Sequence, residues 1–191
     1  MKRAKRNDHN LVVDILAKSF DTNKSVNYII KQDSKRKKRI WALMSYSFDV
    51  CLAFGDIFLS DDNKACALIV YPDKKKSNLK STFLDVKLIL YAVGFGNIGK
   101  TLKREKLIGS IQPKIQMAYL WFIGVDPTAQ SRGIGSKLLQ EVIDFSNSNN
   151  RPIYLETSTV KNLPWYEKFG FEVYNEQDLT YRLYFFKRDI K

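Results

Sequence analysis

The chain reads as a single-domain protein of mixed α and β class, and three features of the sequence point there. Apolar positions at helical spacing alternate along it with short β-rich runs. Its 191 residues suit one domain with a sizeable core, and no linker, internal repeat or low-complexity stretch divides them. With 45% hydrophobic and 13% aromatic residues against only 9 Gly and 5 Pro, the composition is that of a folded chain, far from disordered or collagen-like ones.

Taken in order, residues 2–6 form a possible short strand, and Asp8 can cap a helix that carries Leu11, Val12, Ile15 and Leu16 on one face and ends near Phe20. After the basic run 35–39, the positions Ile40, Trp41, Leu43, Met44, Phe48, Cys51 and Leu52 predict a second helix, with Gly55 placed to terminate it. Residues 57–59 and 65–71 read as a hairpin across Ser60, Asp61, Asp62 and Asn63, closed by Pro72. Residues 73–113 are lysine-rich, contain Gly94, Gly96, Gly99 and Gly109, and read as helices joined by a flexible middle. The unbroken apolar run 118–125 predicts a central strand buried on both faces, ended by Asp126 and Pro127. A helix opening near Gly133 buries Ile134, Leu138, Leu139, Val142 and Ile143, turns Lys137, Gln140, Glu141 and Asp144 outward, and closes in the cluster 147–152. Strands at 153–157 and 171–174, a short helix at 163–169 capped by Gly170, and a last strand at 179–186 complete the chain.

Composition also excludes chemistry. Two cysteines, Cys51 and Cys66, rule out a disulfide framework and a multi-cysteine zinc site, and read as buried packing residues in a reducing compartment. His9 is the one histidine, so a two-histidine metal site is impossible and no metal is expected. The longest apolar runs, 88–96 and 117–125, fall far short of the about 20 residues that span a bilayer, and charged residues interrupt any signal-peptide core. A cytoplasmic protein without a membrane partner is the expectation. The net charge of +12 is compatible with nucleic acid, an anionic surface or a polyanionic small ligand, or with a solvated face alone. Its densest runs are 35–39 and 74–76, followed by Lys103, Arg104 and Lys106.

The most informative segment is Trp121 to Ser136, a buried strand, a turn, and a glycine-rich entry into an amphipathic helix. Unpaired amides at a helix start and the helix dipole favour an anion there, so residues 132–136 suit a pyrophosphate. Gly133 and Gly135 would let it approach closely, and Gly124 inside the strand hints at a bulge that frees backbone groups. Glycines that merely tighten a turn are the plainer alternative.

The spacing Gln130-x-x-Gly133-x-Gly135, after a strand ending Gly124-Val125-Asp126-Pro127, resembles the acetyl-coenzyme A signature of the GNAT superfamily of N-acetyltransferases. Tyr166-Glu167-Lys168-Phe169-Gly170-Phe171 is similar to that family's second landmark, and the order and separation of the two agree. The resemblance is specific from about residue 119 to about residue 174 and loose upstream.

It implies a mixed, splayed central β-sheet with helices on both faces, forming one acetyltransferase domain over residues 1–191. The coenzyme-binding core would cover about 118–174, and acceptor-side helices about 8–54 and 79–112. It further implies acetyl-CoA as cosubstrate and direct transfer to a primary amine, of a small molecule rather than a protein terminus. Ile123 and Val125 would offer backbone groups to the pantetheine arm, with the thioester between strands splayed at Gly124. Gln130, Ser131, Arg132, Gly133, Ile134, Gly135 and Ser136 would bind the pyrophosphate. Lys168 would add charge, and Asn162, displaced from the family's usual upstream asparagine, a further contact. Tyr166 would face the sulfur, where a phenol of pKa about 10 can protonate a thiolate of pKa about 8.5; the alternative is aromatic packing against the sheet. An alkylammonium of pKa about 10.4 must lose a proton before attack, and Glu156 is the candidate base, with a surface or salt-bridged carboxylate as the alternative. The coenzyme and an amine acceptor are then the partners, of a monomer or homodimer.

Two rivals remain. Gly94, Gly99, Lys100 and Thr101 match the P-loop pattern G-x-x-x-x-G-K-T letter for letter, which would make the chain a nucleotide-binding protein. The charge allows a basic nucleic-acid-binding module, although no recognisable zinc finger, RNA-recognition signature or GXXG loop supports it, and no specific nucleic acid is expected.

Overall fold

The computed structural model describes residues 1–75 and 79–191, so Lys76 of the basic run 74–76 lies outside the described residues. In chain order the strands are β1 (Lys2–Arg3), β2 (Gly55–Leu59), β3 (Ala65–Val70), β4 (Ala118–Val125), β5 (Ile153–Thr157), β6 (Glu172–Asp178) and β7 (Arg182–Arg188). The helices are α1 (His9–Ser19), α2 (Lys24–Ile29), α3 (Arg36–Phe54), α4 (Leu79–Leu88), α5 (Ile98–Ile111), α6 (Ile134–Ser148) and α7 (Leu163–Lys168). One sheet runs β1-β2-β3-β4-β5-β7-β6, and every neighbouring pair is antiparallel except β4 with β5.

Because side chains alternate along a strand, the hairpin of β2 and β3 feeds two cores. Ile57, Leu59, Cys66, Leu68 and Val70 pack with α1, α2 and α3, whereas Phe58, Ala65, Ala67 and Ile69 pack with Leu138, Leu139, Val142 and Ile143 of α6. Helices thus cover both faces, as expected. Burial of each such aliphatic side chain contributes about 1.5–3 kcal/mol.

β4 is where the sheet changes character. Ile69 pairs with Leu120 and Leu68 with Phe122, so Trp121 is an extra residue on β4 and the bulge falls there rather than at Gly124. Trp121 and Phe122 consequently share the α1–α3 side, with ring centroids 5.4 Å apart. Gly124 has another reason to be glycine: a Cβ would lie 2.5 Å from Ser19 Oγ and 3.0 Å from Leu16 Cδ2, so its absence lets α1 sit directly on the strand. The expectation of a strand buried on both faces is also corrected, since Tyr119, Trp121, Ile123 and Val125 are only half-buried.

The remaining elements follow the sequence with local differences. Asp8 precedes α1, but its carboxylate accepts from the Lys5 amide at 2.7 Å and so closes the preceding turn instead of capping the helix. α2 is an element the periodicity does not reveal; its start is fixed by Asn23, whose side chain accepts from the Val26 amide at 3.0 Å. The middle of the 73–113 stretch is a π-helical turn, Ile89–Val93, with Ala92 and Val93 buried, followed by Gly94 at φ +71°. The last strand begins at Arg182, because Leu179 belongs to the β6–β7 turn, where its amide bonds the Tyr181 carbonyl at 3.0 Å.

Gly55 does not end α3 as a left-handed cap. It opens β2 in extended backbone at φ −166°, and a Cβ there would lie 1.9 Å from the Ile69 carbonyl oxygen. Backbone cannot yield as a side chain does, so Gly55→Ala is expected to lower unfolding free energy by about 2 kcal/mol or more, read as a fall in urea midpoint at unchanged slope.

Candidate active site

Parallel pairing of β4 with β5 is confined to Ala118 with Ile153 and Tyr119 with Tyr154, after which the strands part. The Asp126 amide donates to the Lys64 carbonyl at 2.8 Å. Antiparallel alternation then turns the backbone of Gly124 toward β3 and that of Ile123 and Val125 toward the opening. The Val125 carbonyl there accepts from Gln130 Nε2 at 3.3 Å.

Beyond β4 the chain turns through Ser131 at φ +63° and Gly133 at φ +77° into α6. The Lys137 amide bonds the Gly133 carbonyl at 2.9 Å, which leaves the amides of Ile134, Gly135 and Ser136 without a helical acceptor. The two glycines differ in purpose. A Cβ on Gly133 would meet nothing within 4 Å, and its left-handed backbone is what requires glycine; a Cβ on Gly135 would lie 3.0 Å from Val125 Cγ2, so Gly135 lets α6 close on β4. Ser136 Oγ accepts from Trp165 Nε1 at 2.9 Å and ties α6 to α7. Arg132 is exposed beside this loop, and Lys168 is exposed on α7.

The opening leads into a cavity of about 470 Å³ between the sheet and the helices α1 to α5. Tyr119, Trp121 and Ile123 line one side, Glu156 to Thr159 the other, and Asn162 and Tyr166 the end nearest α7. Tyr166 is 5% exposed and packs on Trp165, Phe171 and Phe186, while burial pushes its phenol up. It is both a packing residue and a cavity residue, so the two readings of it are not exclusive.

Glu156 is no surface carboxylate. Its Oε1 accepts from Gln112 Nε2 at 3.0 Å and its Oε2 from the Tyr119 hydroxyl. Burial raises its pKa above 4.5, and the bonds from Tyr119 and Gln112 oppose that shift. Arg104 stands nearby, its Nη1 2.5 Å from Glu105 Oε1, its Nη2 2.6 Å from Ser25 Oγ and its Nε 3.0 Å from the Tyr181 hydroxyl. Tyr119, Gln112 and Arg104 are absent from the sequence-derived candidates. A hydroxyl inside an otherwise apolar run was the one available signal for Tyr119.

The P-loop letters fall elsewhere. Residues 94–101 form a helix junction entered from a π-turn rather than a strand; Lys100 Nζ sits 4.9 Å from the Tyr28 ring centroid and the Thr101 hydroxyl donates to the Asn97 carbonyl. That cradle and its lysine are therefore not built as a phosphate site.

Residues 88–173 match the family described as acetyltransferase (GNAT) domain. An uncharacterised N-acetyltransferase of Schizosaccharomyces pombe is 40% identical over 53 residues, 28% of this chain and 22% of that protein. N-alpha-acetyltransferase RimI of Mycobacterium tuberculosis is 44% identical over 52 residues, 26% of this chain and 32% of its own length. The solved structure described as histone acetyltransferase HPA2 and related acetyltransferase from Corynebacterium glutamicum superposes with a TM-score of 0.72 at 20% identity, over 100% of this chain and 96% of that one. The matched segment, residues 88–173, is similar to the GNAT acetyltransferase domain and the fold is the one those enzymes have, as the resemblance implied. The chain spans less than a third of the two curated relatives named.

Removing the Tyr119 hydroxyl takes a bond from the ionised form of Glu156. Tyr119→Phe is expected to move the Glu156 titration further upward, followed by carboxyl-carbon NMR; a downward shift would contradict the assigned bond.

Proposed function

We propose that the protein transfers an acetyl group from acetyl-CoA to the primary amine of a small molecule by direct attack. The observation that carries this reading is the gap between β4 and β5, which has the glycine loop at one side and the Glu156 cavity at the other. The residues fit the coenzyme: outward backbone of Ile123 and Val125, free first-turn amides at Ile134 to Ser136, and open space over Gly133. Gln130, Ser131 and Arg132 would complete the pyrophosphate loop; Asn162, which lines the cavity, and Lys168 are its outer contacts. Bound there, acetyl-CoA supplies an activated acetyl thioester.

The cavity volume lies within the about 300–1,000 Å³ of small-molecule sites. Its charged lining is Asp85, Glu105 and Glu156 against Lys75 and Arg104, a local acid excess in a chain of net charge +12, and Arg104 is already engaged with Glu105. That excess suits a cationic amine. Glu156, held by Tyr119 and Gln112, takes the ammonium proton, and its raised pKa brings it closer to that task. Burial keeps the Tyr166 phenol protonated, though a weaker acid than a free phenol, and in this reading it would give that proton to the departing thiolate.

Calorimetry with acetyl-CoA, and separately with ATP and magnesium, tests the cofactor. Micromolar acetyl-CoA binding, lost in Gly133→Glu because the carboxylate opposes the pyrophosphate, is the expected result; ATP binding without coenzyme binding would overturn it. In a thiol-release assay over a panel of amines, Glu156→Gln is expected to lower turnover about 10²-fold or more and to abolish the rise of activity with pH through the carboxyl's raised pKa. Tyr166→Phe should lower turnover with little change in coenzyme affinity; unchanged turnover would remove its acid role.

A further inference from the structure

Among the described residues no single helix is long and apolar enough to cross a membrane, and the stretch from Thr82 to Ile111 is bent by 102° at its centre. That bend produces an elbow with an unusual tip. Leu90, Tyr91 and Phe95 are 50%, 62% and 75% exposed, and Phe83, one face earlier on α4, is 61% exposed. The opposite side of the same segment is anchored: Leu84, Ala92 and Val93 are buried, and the Lys31 amide bonds the Ala92 carbonyl at 3.1 Å. The fold therefore holds these apolar side chains outward on a fixed support. A patch of this kind marks an interaction surface.

The surroundings select the partner. A groove beside the tip is shared by Leu90, Tyr91, Lys35, Lys38, Arg39 and Lys87. Arg39 Nη1 reaches the Tyr91 carbonyl at 3.4 Å, Lys87 Nζ lies 5.4 Å from the Phe83 ring centroid, and Lys31 carbons pack against Gly94. Of the basic run 35–39, at the positive end of the α3 dipole, Lys35, Lys38 and Arg39 line this groove. Arg39 and Lys31 are ion-paired with Asp33 and Arg36 with Asp21, so Lys35, Lys38 and Lys87 are the cations there without an ion pair among the described residues. A second copy of the chain would bring the same cations face to face within a molecule of net charge +12. Aromatic and aliphatic side chains ringed by lysines suit an anionic bilayer, where rings enter the headgroup boundary and cations meet lipid phosphates and carboxylates.

We propose that the α4–α5 elbow docks the protein peripherally onto anionic lipid surfaces, with Leu90, Tyr91 and Phe95 inserted and Lys35, Lys38 and Lys87 around them. The proposal is independent of the acetyl-transfer reading. It is tested by flotation of the full chain with vesicles of phosphatidylcholine alone and with 30 mol% phosphatidylserine, the latter composition being about that of an acidic leaflet. Binding only to the serine-containing vesicles, falling steeply with salt, is expected. Leu90→Ser with Phe95→Ser, both on exposed positions and checked by circular dichroism, should weaken it about tenfold or more, and Lys35→Glu with Lys38→Glu should abolish it. No binding at low salt, or binding that the serine variant leaves unchanged, would overturn the proposal. So would a concentration-dependent dimer, seen by ultracentrifugation and lost in the serine variant, because the elbow would then be a contact between copies.

Discussion

The early parting of β4 from β5 is the constraint on which the site depends. Two strands that are bonded at Ala118 and Tyr119 and free thereafter leave a row of backbone groups in the middle of the molecule without partners in the sheet. Such groups are costly to bury unless something else satisfies them. The bulge at Trp121 makes the parting possible, since the additional residue turns β4 and moves Phe122 to the face of Trp121. From the gap follow both the outward backbone of Ile123 and Val125 beside the glycine loop and the cavity that Glu156 lines. The packing that holds it open is ordinary: α1 lies on Gly124 of β4, and α6, through its own Gly135, lies on Val125.

Electrostatics divides the molecule into two regimes. The surface is strongly basic, which favours a polyanionic ligand at the loop that opens α6 and an anionic layer at the elbow. Inside the cavity the balance reverses, and low polarity strengthens what remains. Glu156 is held in that interior by two donors rather than by an arginine or lysine bridge. A carboxylate so placed keeps an elevated proton affinity, which a salt bridge would have removed.

Much of this was legible in the sequence where local rules act alone. The glycine-rich entry to α6, the helix after it and the Tyr166 segment follow from residues close together in the chain, although the sequence points to close approach at Gly133 and not to its left-handed backbone. The hairpin of β2 and β3 was readable because turn residues and alternation coincide. What was not readable depends on distant contacts. The bulge was expected at Gly124, yet a glycine there answers to α1, and Trp121 bears no mark of an unpaired residue. α2 is too short for a period to emerge, and the companions of Glu156 come from α5's end and from β4, 44 and 37 positions away. The P-loop letters show the converse: a complete local pattern without the preceding strand that gives it meaning.

Arg104 carries a consequence for how this corner of the cavity comes into being. Its guanidinium joins Ser25 and Tyr181, themselves within 3.2 Å of one another and 156 positions apart, so three remote stretches of chain meet at one side chain. Closing loops of that length is entropically costly, and nothing local repays it in advance. The glycine loop before α6 is by contrast assembled from one strand and the helix that follows it. The site thus combines contacts of two ranges: a glycine loop held by neighbouring stretches of chain, and a cavity whose Arg104 corner exists only where residues 25, 104 and 181 have come together.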